Sequence, residues 1–88
     1  MKVEFRASFA RDLKRIRDKS LLNQVREAIQ QTEAAEDLRN VSNIKKLRAQ
    51  GNYYRIRLGD YRIGLVIDDI GARFVRFLHR SEIYRYFP

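Results

Sequence analysis

The sequence predicts an α+β domain of order β-α-α-β-β-β, a small, largely antiparallel sheet with a helical hairpin packed on one face. Three observations lead there. Apolar residues recur at helical spacing from Phe9 to Thr32. After Gly51 the apolar period becomes two. Between the alternating runs stand Gly59-Asp60 and Asp68-Asp69-Ile70-Gly71, both with hairpin turn chemistry. At 88 residues there is room for one small domain, residues 1–88, and a small core.

Lys2 to Phe5 alternates, with Val3 and Phe5 on one side, and predicts a short first strand. Ser8 is a suitable N-cap for a helix over residues 8–17, whose Phe9, Leu13 and Ile16 face inward while Arg11, Asp12, Lys14, Arg15 and Arg17 face out. Asp18-Lys19-Ser20 connects it to a second helix over residues 20–35. Leu22, Val25, Ile29 and Thr32 form the inner stripe of that helix. So short a connection predicts an antiparallel helical hairpin. Glu36 to Asn43 reads as irregular, and Leu47 as an isolated anchor among Lys45, Lys46 and Arg48. Asn52–Leu58, Tyr61–Ile67 and Arg73–His79 are the remaining strands.

A two-residue loop at Gly59-Asp60 fixes a register. Leu58 then faces Tyr61, Ile56 faces Ile63 and Tyr54 faces Leu65, which sends an apolar face to the helices. On the other face Arg57 opposes Arg62, Arg55 opposes Gly64 and Tyr53 opposes Val66. Like charges directly opposed across strands are destabilising. A three-residue loop at Asp69-Ile70-Gly71 extends the pattern: Leu65 faces Val75 and Ile63 faces Phe77. Arg76 and Phe74 then join the open face, Arg80 continues it, and Gly64 leaves a shallow hollow at its centre.

The charge balance points the same way. Lys plus Arg is 19 against 11 acids, a formal net charge of +8, which favours a polyanionic partner, nucleic acid first. From Arg39 to Arg62 the cations are Arg39, Lys45, Lys46, Arg48, Arg55, Arg57 and Arg62, and Asp60 is the lone acid. Arginine's planar fork suits phosphate, and Tyr53, Phe74, Tyr84, Tyr86 and Phe87 offer rings for stacking bases. The absence of cysteine excludes disulfides and thiolate metal sites, and a single histidine argues against structural zinc. The N-terminal segment has no apolar run of signal-peptide or membrane-span length, so cytoplasmic residence is expected.

YYRIRLGDYRIGLVID, followed by VRFLHRSEIYRYF, resembles the RelE/ParE superfamily of toxins from bacterial and archaeal toxin–antitoxin modules, and most of all its RelE branch. The likeness runs through the first strand, the helical hairpin, Ile44-Lys45-Lys46-Leu47, the basic hairpin and the terminal HRSEIY. It implies a RelE-like fold and a ribosome-dependent mRNA interferase that cuts mRNA in the A site without a metal or other cofactor. The family's active-site positions carry over to Arg55, Arg57, Arg62, Arg80 and Tyr84. Some members have lysine at the first two positions, and arginine there rules out lysine-based proton transfer. The resemblance also implies a cognate antitoxin that covers or distorts the basic face. The ParE-like branch, a non-enzymatic DNA gyrase inhibitor, and a binding-only ribosome or RNA module are the alternatives.

RNA supplies its own nucleophile, the 2′-hydroxyl, whose attack on the adjacent phosphate leaves a 2′,3′-cyclic phosphate and a free 5′-hydroxyl. Arg57 and Arg62, with Arg55 beside them, are expected to stabilise the phosphorane, and Arg80 the leaving group or flanking backbone. Tyr84 among arginines is the first candidate general base. His79 is the second, because the register turns it inward near Tyr61. Lys45, Lys46, Arg48 and Arg76 are expected to hold RNA backbone. With no paired histidines or Glu–His, this set depends on the ribosome to position the strand.

Overall fold

Gly59 adopts a φ of +60°, as the first central residue of a primed hairpin turn must. In chain order the elements are β1 (Val3–Phe5), α1 (Ala7–Lys14), α2 (Lys19–Ala34), β2 (Ile44–Lys46), β3 (Tyr53–Leu58), β4 (Tyr61–Ile67), β5 (Ala72–His79) and α3 (Ile83–Tyr86), with a 3-10 turn at Leu38–Asn40. The computed structural model describes residues 1–48 and 51–88. The strands form one sheet in the order β1-β5-β4-β3-β2. Its pairs are antiparallel except β1 with β5, which is parallel. The α+β class, the helical hairpin and the predicted β3–β4 register are all present.

Both helices begin one residue earlier than predicted. Arg6, not Ser8, is the N-cap of α1, and no side chain caps it. Ser8 instead donates its hydroxyl to the Val75 carbonyl. Asp18 caps α2 by accepting the Leu21 N–H at 3.1 Å. The buried stripe of α2 is Leu21, Val25, Ala28 and Thr32, while Leu22 and Ile29 are half-buried. The core joins Phe9, Leu21, Val25 and Ala28 to Ile56, Ile63, Leu65, Ile67, Phe74 and Phe77. Burial of these side chains is the main stabilising term, at roughly 1.5–3 kcal/mol for each large one.

Two short elements lie outside the predicted set. Ile44–Lys46 is an edge strand, with Ile44 opposite Ile56, Lys45 opposite Arg55 and Lys46 opposite Tyr54. Three residues with two lysines carry little strand signal, and lysine is a common edge guard. Ile83–Tyr86 is a single helical turn on the face away from α1 and α2. It buries Ile83 and, just after it, Phe87.

The third long strand departs from prediction in a specific way. The turn is four residues, so Ile67 pairs with Ala72 and Leu65 with Phe74, not with Val75. A bulge between Gly64 and Leu65 then leaves Val75 unpaired and restores Gly64 opposite Arg76 and Ile63 opposite Phe77. Phe74 is therefore fully buried in the core against Phe9 and cannot stack a base. Asp68 closes the turn by accepting from the Ile70 N–H at 2.9 Å and from the Arg73 guanidinium. The Arg73 bond, with help from the turn amides, holds the Asp68 carboxyl below its usual range.

β1 pairs only with the first three residues of β5, which leaves the rest of that edge bare. Two residues one turn apart on α1 fill the gap. Ser8 takes the Val75 carbonyl, and Asp12 Oδ2 accepts the Phe77 N–H at 2.9 Å. Asp12, predicted to face solvent, is 5% exposed. A buried strand amide without a partner would cost 1–3 kcal/mol or so.

Candidate active site

The sheet register places Lys45, Arg55, Gly64 and Arg76 in one row across β2, β3, β4 and β5, with Arg57 and Arg62 opposed in the next row. All lie on the face away from α1 and α2. Three anchors hold this set. Asn43 sits in the left-handed region (φ +63°), which asparagine tolerates better than most residues, and its carbonyl accepts Arg55 Nη1 at 2.6 Å. Arg62 Nη1 donates to the Gly59 carbonyl at 2.7 Å and to Tyr61 at 3.0 Å. Arg80 donates its main-chain N–H to the Asp60 carbonyl at 2.7 Å, and its guanidinium lies 3.8 Å from the Asp60 carboxylate. The hairpin turn is thus a fixed point for both Arg62 and Arg80, and Asp60 does more than form the turn.

Among the described residues, no carboxylate lies within ion-pair distance of Lys45, Lys46, Arg48, Arg55, Arg57 or Arg62. Arg57 is exposed, and Arg55 and Arg62 are half-buried. Arg55 and Arg62 are thus held in place and Arg57 stands free beside them, all three without a counter-ion among the described residues, an arrangement that binds an oxyanion without first breaking ion pairs. Lys45 belongs to this face. Lys46, opposite Tyr54, lies on the other side of the sheet, and Arg48 is exposed beyond the end of β2.

Arg76 stands where the register puts it but is not a free cation. Its Nε and Nη2 donate to the two Asp12 oxygens at 2.8 and 3.2 Å, and only 23% of its side chain is exposed. The Asp12 bond raises the pKa of Arg76 further. This corrects its expected role as an RNA-backbone contact: the charge is neutralised within the fold. The signal for Asp12 was its spacing. It is the one acid of α1 and falls at i+3 from Phe9, on the buried stripe.

The predicted hollow over Gly64 is filled. A Cβ there would lie 2.5 Å from Phe87 Cδ2, and Phe87 is 3% exposed and edge-on to Tyr53 at 5.8 Å. Phe87 is a plug in the sheet and not a stacking platform. Tyr84 and Tyr86 are exposed. Tyr86 covers the Arg76 guanidinium at 5.3 Å, and among the described residues no hydrogen bond ties the Tyr84 hydroxyl. His79 faces inward opposite Tyr61, with the rings edge-to-face at 5.5 Å. Its Nδ1 accepts the Ser81 N–H at 3.1 Å, so the neutral ring carries its proton on Nε2. No helix of the described residues is long and apolar enough to cross a membrane.

A five-stranded sheet that backs one helical hairpin and bares on its other face Arg55, Arg57 and Arg62, with no carboxylate at ion-pair distance among the described residues, defines a small basic α+β protein. Comparison with known proteins narrows the class. The family described as "ParE toxin of type II toxin-antitoxin system, parDE" matches residues 3–84, and the chain belongs to it. The chain is 40% identical to toxin RelE3 of Methanocaldococcus jannaschii over the whole of both sequences, which places it with the RelE toxins. Its fold matches the crystal structure of a RelB–RelE antitoxin–toxin complex from Methanococcus jannaschii at a TM-score of 0.79 and 36% identity, over 97% of this chain and 99% of that one. A RelE–RelB complex from Pyrococcus horikoshii matches at a TM-score of 0.74 over 91% of this chain and 94% of that one. At 21% identity it speaks for the fold alone.

Proposed function

We propose that this toxin is a ribosome-dependent endoribonuclease that cleaves translated mRNA in the A site. The observation that carries this reading is the pair Arg57 and Arg62, directly opposed across β3 and β4 with no carboxylate beside either. Like-charge opposition costs stability in the free protein, and a phosphodiester converts that cost into binding. Arg57 and Arg62 take the non-bridging oxygens of the scissile phosphate and stabilise the phosphorane formed by 2′-hydroxyl attack. Arg55 holds the same phosphate from the Asn43 side. Arg80, at the hairpin turn, neutralises the departing 5′-oxygen. Tyr84, exposed and unbonded, takes the 2′-hydroxyl proton as its phenolate, and as the P–O5′ bond breaks the departing oxygen takes its proton from water, leaving the 2′,3′-cyclic phosphate and a 5′-hydroxyl. His79 faces the other side of the sheet, with one ring nitrogen engaged, and is not assigned this step. Lys45, with Lys46 and Arg48 around the β2 edge, binds RNA backbone.

In this reading a cognate antitoxin is the second partner. Solved relatives are antitoxin–toxin complexes, and an acidic segment laid over the arginine face would neutralise it. Work on ribosomes places the protein in the cytoplasm. No cofactor is required. The ParE description of the matching family supports a second reading, a non-enzymatic DNA gyrase inhibitor. Primer extension on mRNA after induction separates the two. New 5′ ends inside translated frames, absent for Arg62→Ala and Tyr84→Phe, are the expected result. Intact mRNA with accumulating DNA breaks selects the gyrase reading, and arrested translation with neither selects binding without chemistry.

A further inference from the structure

Asp12 is the one buried carboxylate among the described residues, and its position is unlike that of an ordinary core ion pair. It ties α1 to the bare edge of β5 through the Phe77 N–H and grips Arg76 with both oxygens. Arg76 stands opposite Gly64 in the sheet. The two residues form a platform for the C-terminal segment: Tyr86 lies over the Arg76 guanidinium, and Phe87 lies over Gly64. The Phe87 N–H closes α3 on the Ile83 carbonyl at 2.8 Å. Tyr84 sits on the same helical turn as Tyr86, two residues before it, and is exposed.

We propose that Asp12 is a positioning residue for the reaction. By holding the Arg76 fork in one orientation, it seats Tyr86 and Phe87 on the sheet and thereby places the Tyr84 hydroxyl beside the arginine face. The kinetic part rests on the endoribonuclease reading above. Two features favour this over a purely structural pair. Asp12 could satisfy the Phe77 N–H without any arginine, so the bidentate grip is a separate feature. The gripped guanidinium also lies over a ring of the segment that carries Tyr84, 5.3 Å from its centroid, and the two Asp12 bonds fix the plane of that fork. A lysine at position 76 could pair with Asp12 but could not offer that plane.

The test is the double variant Asp12→Asn with Arg76→Met, alongside Arg76→Lys. Asparagine still accepts the Phe77 N–H, and the double change leaves no orphaned charge, so the sheet is retained. Hydrogen exchange at the Phe87 amide reads the seat directly. In both variants protection is expected to fall at Phe87 while it holds at Ile63 and Phe77 in the core. In ribosome-programmed cleavage kcat is expected to fall about tenfold to a hundredfold, with KM unchanged, as for a displaced catalytic group. Adding Tyr84→Phe to either variant should then cost little more. Unchanged Phe87 protection overturns the seating claim. Lost protection with wild-type kcat overturns the positioning of Tyr84. If the wild-type chain cleaves no RNA, the functional reading fails by itself, and the exchange measurement still decides whether Asp12 seats the segment.

Discussion

Phe87 lies directly on Gly64, so close that a single added carbon on the glycine would stand 2.5 Å from its ring. The glycine has an ordinary strand conformation, and its lack of a side chain is what the contact uses. Gly64→Ala is therefore expected to lift Phe87 and destabilise the fold by about 1–3 kcal/mol, as overpacking does. Urea denaturation should show the loss, and in a Phe87→Leu background the penalty should shrink because the ring is gone.

Arg57 and Arg62 face each other with no acid to separate them. Arg57→Gln is expected to raise stability by about 0.2–1 kcal/mol, the scale of an exposed cross-strand repulsion, while mRNA cleavage falls by two orders of magnitude or so, as when one preorganised donor is removed. A gain in denaturation midpoint together with a loss of cleavage is the signature. A loss of both would mean the pair is structural.

Tyr84→Phe removes one exposed hydroxyl that no hydrogen bond of the described residues holds. Its stability should match the wild type within about 0.5 kcal/mol, and in-cell cleavage should disappear. A stable, inactive phenylalanine variant separates chemistry from packing at this position.

The two Asp–Arg pairs nearest the site should respond very differently. Asp12→Ala strands a largely buried guanidinium and the Phe77 amide, and is expected to cost about 3–5 kcal/mol. The Arg80–Asp60 pair is open to water, with side chains 64% and 71% exposed. Asp60→Asn keeps the turn chemistry and should cost less than about 1 kcal/mol. Thermal melts of the two variants read the contrast.

Acid should weaken the protein through Asp68. Its carboxyl is held below the usual value by Arg73 and the turn amides, so the folded state binds its proton less readily than the unfolded chain. Such a group stabilises fully above the unfolded pKa of about 3.9, and the contribution is lost as pH falls through the lower folded value. Melting temperature should therefore decline below about pH 4, and Asp68→Asn should flatten part of that decline.

The hairpin and its arginines were legible because a two-residue turn leaves no freedom: once Gly59 takes a positive φ, every partner from Tyr53 to Val66 follows. Asp12 was harder to see. A lone acid among Arg11, Lys14, Arg15 and Arg17 reads as solvated, and only its i+3 relation to Phe9 argues otherwise. Ile44–Lys46 and Ile83–Tyr86 are too short for any period to register. The free-cation reading of Arg76 and the hollow at Gly64 failed for one shared reason. Both are decided by contacts distant in sequence, Asp12 on Arg76 at 64 positions and Phe87 on Gly64 at 23, that local pattern does not encode.

Val75 gives β5 a change of parity. Before it the buried positions are even, Ala72 and Phe74; after it Phe77 is the buried one. The longer turn and the extra residue cancel, so the far half of the strand keeps the partners that a shorter turn and an unbroken ladder would have assigned. The strand is in effect two half-strands spliced out of phase. Its near half belongs to the core with Phe9, and the exposed Phe5 ring lies against Phe74. Its far half, beyond the splice, carries the arginine that seats the C-terminus and leads into Arg80. A scan of polar substitutions along Ala72–His79 would find the forbidden sites switching from even to odd within a single residue.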